Sequence, residues 1–260
     1  MKNGERGLVP PGAEHVLGFP MSAMTIDLSM LAFSPPGWGS NLLRGLGHTV
    51  EIAAGAYAFG LVLGLGGAMG KLNGGPILKG AMEVYTTIGR AIPELILILI
   101  LFYAGPTLIN QLITAYGYPP LDVNGLAAGI FVLGVVQGAY STEVLRGAIQ
   151  AIPVGQIEAA KAYGMSGWQR FSRIVFPAMI PNAIPGMANL WLNVTKDSAL
   201  LAVVGFSELM LETRQAAGST KAYFMFYMAA ALLYLALSQV SILIFSWIER
   251  RQRRGQQALA

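Results

Sequence analysis

The stretch Pro153-Val-Gly-Gln-Ile-Glu158-Ala159-Ala160-Lys-Ala-Tyr163-Gly164-Met-Ser166-Gly-Trp-Gln169-Arg-Phe-Ser-Arg-Ile174-Val-Phe-Pro177 lies between two long apolar segments. It reads as helix, turn, helix. Pro153 suits a first helical turn, where its missing N–H is not needed. Glu158-Ala-Ala-Lys-Ala is strong helix former. Gly164 suits the position just past a helix end, where left-handed backbone is common. Ser166 and Gln169 have the spacing of a capping box, so a second helix starts at once. Pro177 ends that helix or bends the chain into the next apolar segment. The expectation is a sharp two-helix elbow, a rigid knob between apolar segments.

Outward from this loop, the chain is apolar. Of 260 residues 54% are hydrophobic and only 12% charged, and mean hydropathy is +0.55. A soluble domain carries about twice that charge fraction, whereas a bilayer span needs roughly 20 mostly apolar residues. About five stretches qualify: Leu46–Gly70, Ala81–Ala104 with Pro93 inside it, Gly125–Leu145, Ala183–Val204 interrupted by Lys196-Asp197, and Phe224–Ile248. In the second, the lipid-embedded part is mainly Leu95–Tyr103. Glycines at four-residue spacing, Gly60 and Gly64, Gly66 and Gly70, Gly125 and Gly129, Gly134 and Gly138, allow another helix to approach closely. The fold class is therefore an all-α integral membrane protein.

Charge placement orients it. The basic residues lie between spans and in the tail, including Arg250, Arg251, Arg253 and Arg254. Basic loops mark the cytoplasmic side, which puts the C-terminus inside and, with about five spans, the N-terminus outside. The Lys71/Lys79 loop and the 153–177 loop then face the cytoplasm, and both are basic. The loops assigned outside hold only Arg214 as a basic residue. Nucleic-acid binding would need a folded basic face instead. Residues 1–40, punctuated by Pro10, Pro11, Pro20, Pro35 and Pro36, read as a poorly structured leader, with no apolar run after Lys2 or Arg6 to make a signal peptide. Met21 and Met24 are alternative start positions. Residues 41–250 form the membrane domain and 251–260 a basic cytoplasmic tail. An odd number of spans also argues against two inverted halves.

The loop resembles one family. In the membrane permeases of bacterial ATP-binding-cassette importers, the EAA loop reads Glu-Ala-Ala, three residues, Gly, nine residues, Ile, one residue, Leu, Pro. Glu158, Ala159, Ala160, Gly164, Ile174 and Pro177 stand at those spacings, with Phe176 in place of Leu. Tyr140-Ser-Thr-Glu143-Val-Leu-Arg146-Gly147, Trp191-Leu-Asn193-Val-Thr-Lys196-Asp197-Ser198 and Tyr85-Thr-Thr-Ile-Gly-Arg90-Ala91-Ile-Pro93-Glu94 resemble polar amino acid permeases, with Ala91 in place of the commoner Gly. The likeness covers roughly residues 40–250 and is nearest in kind to the histidine/lysine-arginine-ornithine and opine branch. It implies a type I importer permease fold in a bacterial inner membrane, with Glu158, Ala159, Ala160, Tyr163, Gly164, Ile174 and Pro177 coupling to an ATPase. It also implies two ATP-binding-cassette subunits, which bind ATP and Mg, a second identical or homologous permease, and an extracytoplasmic substrate-binding protein. This chain itself would hold no cofactor.

Ionisable groups within spans are costly and face a cavity, an interior or a partner charge. Glu94, Glu143, Lys196 and Asp197 are candidates for a substrate pathway. Glu94 follows Pro93, where a kink is expected, and either meets a cationic substrate or pairs between helices, with Arg90 for example. Arg146, three residues after Glu143, is placed to pair with it, a structural role or a pathway one. Lys196 and Asp197 point apart on a regular helix and either line a pathway or pair structurally.

Other chemistries lack their residues. There is no cysteine, so disulfides, thiolate metal sites and cysteine nucleophiles are excluded. No phosphate-cradling Gly-x-x-x-x-Gly-Lys-Ser/Thr occurs; the nearest match, at Gly70-Lys71, has Leu65 where the first glycine belongs and Leu72 after the lysine. ATP hydrolysis by this chain is therefore not expected. His15 and His48 are isolated, without metal-ligand spacing. The sequence reading is a permease subunit of an ATP-driven importer for polar, basic amino acids or opines. Its rivals are an ion-gradient-driven secondary amino acid transporter and a structural membrane anchor.

Overall fold

The computed structural model describes residues 15–16, 19–20, 27–120 and 125–253. Apart from a two-residue antiparallel ladder, His15–Val16 against Phe19–Pro20, the regular structure among the described residues is helical. The long elements are α1 (Gly39–Asn73), α2 (Pro76–Ala91), α3 (Glu94–Ala115), α4 (Gly125–Gln150), α7 (Phe176–Asp197) and α9 (Tyr223–Arg253). Shorter helices α5 (Val154–Ala162), α6 (Gly167–Arg170) and α8 (Leu209–Thr220) sit in the connections. By length and composition α1, α3, α4 and α9 are able to cross a membrane. The polar last turn and the internal prolines Pro181 and Pro185 set α7 apart, yet its 22 residues make it a fifth long pass.

α1 and α4 form the centre of the bundle. A Cβ on Gly64 would collide with Ser141 of α4, so only a glycine permits this approach. Its partner in spacing, Gly60, likewise faces Gln137 of α4. Gly66 does not follow the expectation: a Cβ there would meet nothing within 4 Å. Ile52, Ala53 and Ala56 of α1 join Ile98, Val132, Leu133, Val194 and Leu201 in a core drawn from four passes and the turn after α7.

The second pass differs from the expected single span over Ala81–Ala104. The helix stops at Ala91 and restarts at Glu94, with Ile92 and Pro93 extended at ψ 137° and 132°. Proline drives its predecessor out of the helical region and offers no N–H of its own. The result is a complete break, and the apolar pass is Glu94–Ala115. Gly89 abuts Ala139 just before the break, so the discontinuity lies inside the bundle. The expected fourth span, Ala183–Val204, is the latter part of α7 plus a tight turn of 3-10 helix, Ser198–Val204.

At the end of the bundle that holds the start of α1, Glu208 caps α8. Its Oε1 accepts from Leu211 N at 2.9 Å, and its Oε2 accepts from Thr49 of α1 at 3.3 Å and Tyr234 of α9 at 3.0 Å. Glu208 has no solvent exposure. Burial pushes its carboxyl up from the ordinary range, against the pull of those hydrogen bonds. Of residues 1–40, expected as a poorly structured leader, 1–14, 17–18 and 21–26 lie outside the described residues; 28–31 form a short 3-10 helix, and Met30, Leu31 and Trp38 pack on the core at this end.

Candidate translocation pathway and coupling loop

The 153–177 loop forms the elbow its caps predict. Helix α5 closes in a Schellman motif: Met165 N–H donates to Ala160 O at 3.1 Å and Gly164 N–H to Lys161 O at 2.9 Å. Gly164 has φ +70°, backbone that favours glycine. Ser166 caps α6, accepting from Gln169 N at 3.3 Å while the Gln169 side chain accepts from Ser166 N at 2.9 Å. The second helix does not stop at Pro177. Its turns widen over Phe171–Val175, where Phe176 N–H reaches Phe171 O, an i to i+5 bond, and it then runs on as α7. A widened turn accommodates a proline ring that would otherwise strike the preceding turn.

The loop's residues divide by exposure. Glu158, Ala159 and Gly164 are exposed, and Tyr163 is 85% exposed. Ala160 is 3% exposed and turns toward the chain's own core. There Ile157 and Val175 pack on Leu145, Ile149, Ile152 and Met179. Ile174 is half-buried and Pro177 exposed.

Two charged clusters lie deeper. In the first, Glu94 at the start of α3 and Asp197 at the end of α7 bring their carboxyls within interaction distance, with the Tyr140 hydroxyl of α4 beside Glu94. All three are partly exposed. The first N–H groups of α3 have no intrahelical acceptor, so a helix N-terminus and two carboxyls meet at one level of the bundle. Lys196, by contrast, is exposed.

In the second cluster Lys71, at the end of α1 and 8% exposed, contacts Glu83 and Glu143 at 2.6 Å each and Thr86 at 2.7 Å. Arg146 binds the other Glu143 oxygen through Nη2 at 2.7 Å and Nε at 3.1 Å, and Arg90 lies 3.8 Å from it. A buried ammonium requires such partners. These groups line a cavity of about 470 Å³.

The chain's sequence matches one family model over residues 56–254, "Binding-protein-dependent transport system inner membrane component". The chain belongs to this family. The octopine transport system permease protein of Rhizobium meliloti is 39% identical over 88% of this chain and 97% of its own. The nopaline permease of Agrobacterium fabrum is 40% identical over 88% and 98%, and the histidine/lysine/arginine/ornithine permease of Escherichia coli 36% over 84% and 96%. A crystal structure of an amino acid ABC transporter with histidines superposes at TM-score 0.72 and 28% identity, covering 88% of this chain and 100% of that one. A methionine ABC transporter in an inward-facing conformation shares the fold at TM-score 0.70 and 21% identity.

Of the permease's expected pathway residues, Glu94 and Asp197 come together. Glu143 belongs to the separate Lys71 network, and the expected Glu143–Arg146 pair is part of it. Arg90 pairs with Glu143 rather than with Glu94. Three residues escaped the sequence reading. Lys71 reads as loop because nothing local marks its burial, Tyr140 reads as part of an apolar span, and Glu208 reads as an outside loop residue. A carboxylate immediately before a helix start was the available signal for Glu208. Among the described residues no group of three or more His, Cys, Asp or Glu could hold a metal ion.

Proposed function

We propose that this permease imports basic amino acids or opines, driven by two ATP-binding-cassette subunits that dock on the α5–α6 elbow. The single observation carrying this reading is the elbow itself: a rigid, capped helix pair that exposes Glu158, Ala159 and Tyr163 beyond the bundle. In this reading Glu158 forms the salt bridge that seats α5 in an ATPase cleft and Tyr163 extends the contact. Ala160 seats α5 on its own bundle, while Gly164, Ile174 and Pro177 fix the path back into α7. ATP and Mg belong to the partner ATPases, because no phosphate-cradling loop is present here.

The elbow faces the cytoplasm, with the arginine-ended α9 on the same side. A second permease, identical or homologous, completes the pathway, and an extracytoplasmic binding protein delivers substrate. Alternating access results when ATPase closure moves the elbow and the passes swing. Glu94 and Asp197 meet the ammonium or guanidinium of the substrate, while the α3 N-terminus suits its carboxylate. Relatives named for octopine, nopaline and histidine/lysine/arginine/ornithine support that substrate class. The deciding experiment is uptake by Glu158→Lys. Import should be lost while the chain stays in the membrane, and normal import would refute the docking assignment.

A further inference from the structure

Two adjoining cavities flank α6 and share Met69, Gly167 and Phe171. The first, about 480 Å³, is a slot between Val62, Leu65, Gly66 and Met69 of α1 and the rings of Trp168 and Phe171. Its floor is open at Gly66, the one glycine of the α1 pairs that admits no neighbouring helix. Its walls carry no ionisable side chain.

The second cavity, about 570 Å³, continues past Leu72 and Asn73 and is bordered by Gln150, Lys161 and Arg170. Neither Lys161 nor Arg170 forms an ion pair with another described residue. From Val62 to Asn73 α1 rises about 16 Å. The apolar slot therefore lies toward the bilayer centre and the cationic cavity toward the elbow end. Trp168, 74% exposed, lines the slot next to the shared residue Gly167, and tryptophan concentrates near the membrane interface.

We propose that these cavities form a binding site for one anionic phospholipid, with an acyl chain in the Gly66 slot and the phosphate held by Arg170 and Lys161. Filling an apolar slot with an acyl chain removes its walls from water, which is favourable. Two cations with no ion-pair partner among the described residues match the negative headgroups of the cytoplasmic leaflet. The inference uses the orientation proposed above but not the ATPase assignment. It ties lipid identity to the elbow, since Arg170 and Phe171 lie in the helical run from α6 into α7.

The test is native mass spectrometry of the full-length chain, purified with its co-expressed partner subunits, delipidated, and offered equal dioleoyl phosphatidylglycerol and phosphatidylcholine. The wild type should retain one phosphatidylglycerol per chain, preferred about tenfold or more. Gly66→Leu fills the slot and should lose both lipids. Val62→Trp, at a wall residue 70% exposed, should do the same by an independent route. Lys161→Gln with Arg170→Gln should keep a lipid but lose the preference. Equal retention of the two lipids by the wild type, or undiminished retention by both slot variants, would overturn the site. So would displacement of the lipid by inorganic phosphate, which would mark a free-anion site. Uptake is not the readout, so failure here leaves the docking assignment standing, and failure of Glu158→Lys leaves the lipid result standing.

Discussion

Tyr234 of α9 donates its hydroxyl hydrogen to Glu208 Oε2 at 3.0 Å, across 26 residues of sequence and onto a carboxylate with no solvent exposure. The bond joins α9 to the cap of α8, and Thr49 joins α1 to the same oxygen. Replacing Glu208 with Ala strands these donors and removes the cap. The loss should be about 2–4 kcal/mol, combining roughly 1–3 for unsatisfied partners with about 1 for the cap. Because burial raises the Glu208 carboxyl above its ordinary 4.5, the folded state holds the proton more tightly than the unfolded state. Its contribution is full below that ordinary value and falls as pH rises through the raised one. Thermal unfolding in detergent should show that decline in the wild type and not in Glu208→Gln.

Lys71 contacts Glu83 and Glu143 at the same 2.6 Å, yet their exposures are 70% and 17%. Solvent screens the first pair, which should contribute about 0.2–1 kcal/mol. Double-mutant cycles should give a coupling with Glu143 at least about twice that with Glu83. Equal couplings would mean that water reaches Glu143 freely.

Glu94→Gln and Asp197→Asn each remove one carboxylate charge from the mid-bundle site. Either should lower arginine uptake about tenfold, the order of one charge-assisted hydrogen bond, while co-purification of the assembled transporter is unchanged. Unaltered arginine uptake in both variants would remove the cation site.

Gly164 holds φ +70° at the elbow. Gly164→Asp should abolish uptake with the chain still in the membrane fraction, and Gly164→Asn, which shares aspartate's tolerance of left-handed backbone but adds no charge, should retain more. A membrane-fraction blot beside the uptake assay separates loss of coupling from loss of protein.

Gly64 and Gly47 lie on the same helix with opposite surroundings. A Cβ on Gly64 collides with Ser141, and one on Gly47 meets nothing within 4 Å. Gly64→Ala should cost about 1–3 kcal/mol through overpacking, and Gly47→Ala should be neutral or stabilising by up to about 1 kcal/mol. Thermal melts of the two variants give the comparison directly.

Signals confined to a few neighbouring residues were legible in the chain alone. The capping box at Ser166–Gln169 and the stop at Gly164 each rest on local spacing, and each forms. The Pro93 kink was legible as a weakness, but its extent was not. Whether a proline bends a helix or breaks it depends on what packs beside it, here Ala139 against Gly89. Ala160 was legible as small but not as inward-facing, because α5 has no apolar stripe to show its seat. The Lys71–Glu143 contact spans 72 residues and the Glu94–Asp197 apposition 103. No periodicity within one helix encodes a partner that distant.

From Gly167 to Asp197 the backbone is one helical run, its turns widened at Phe171–Val175 and its ladder interrupted again at Pro181 and Pro185. It is a lever of about 45 Å, with the elbow at its short end and a carboxylate of the mid-bundle pair at the other. Pivoted at the widened turn, the remaining arm is about 33 Å, and a tilt of about 5° carries Asp197 sideways by about 3 Å. That is the span of a single hydrogen bond. In the proposed reading, a movement at the elbow far too small to open a pore is enough to part Asp197 from Glu94 and release a substrate held between them.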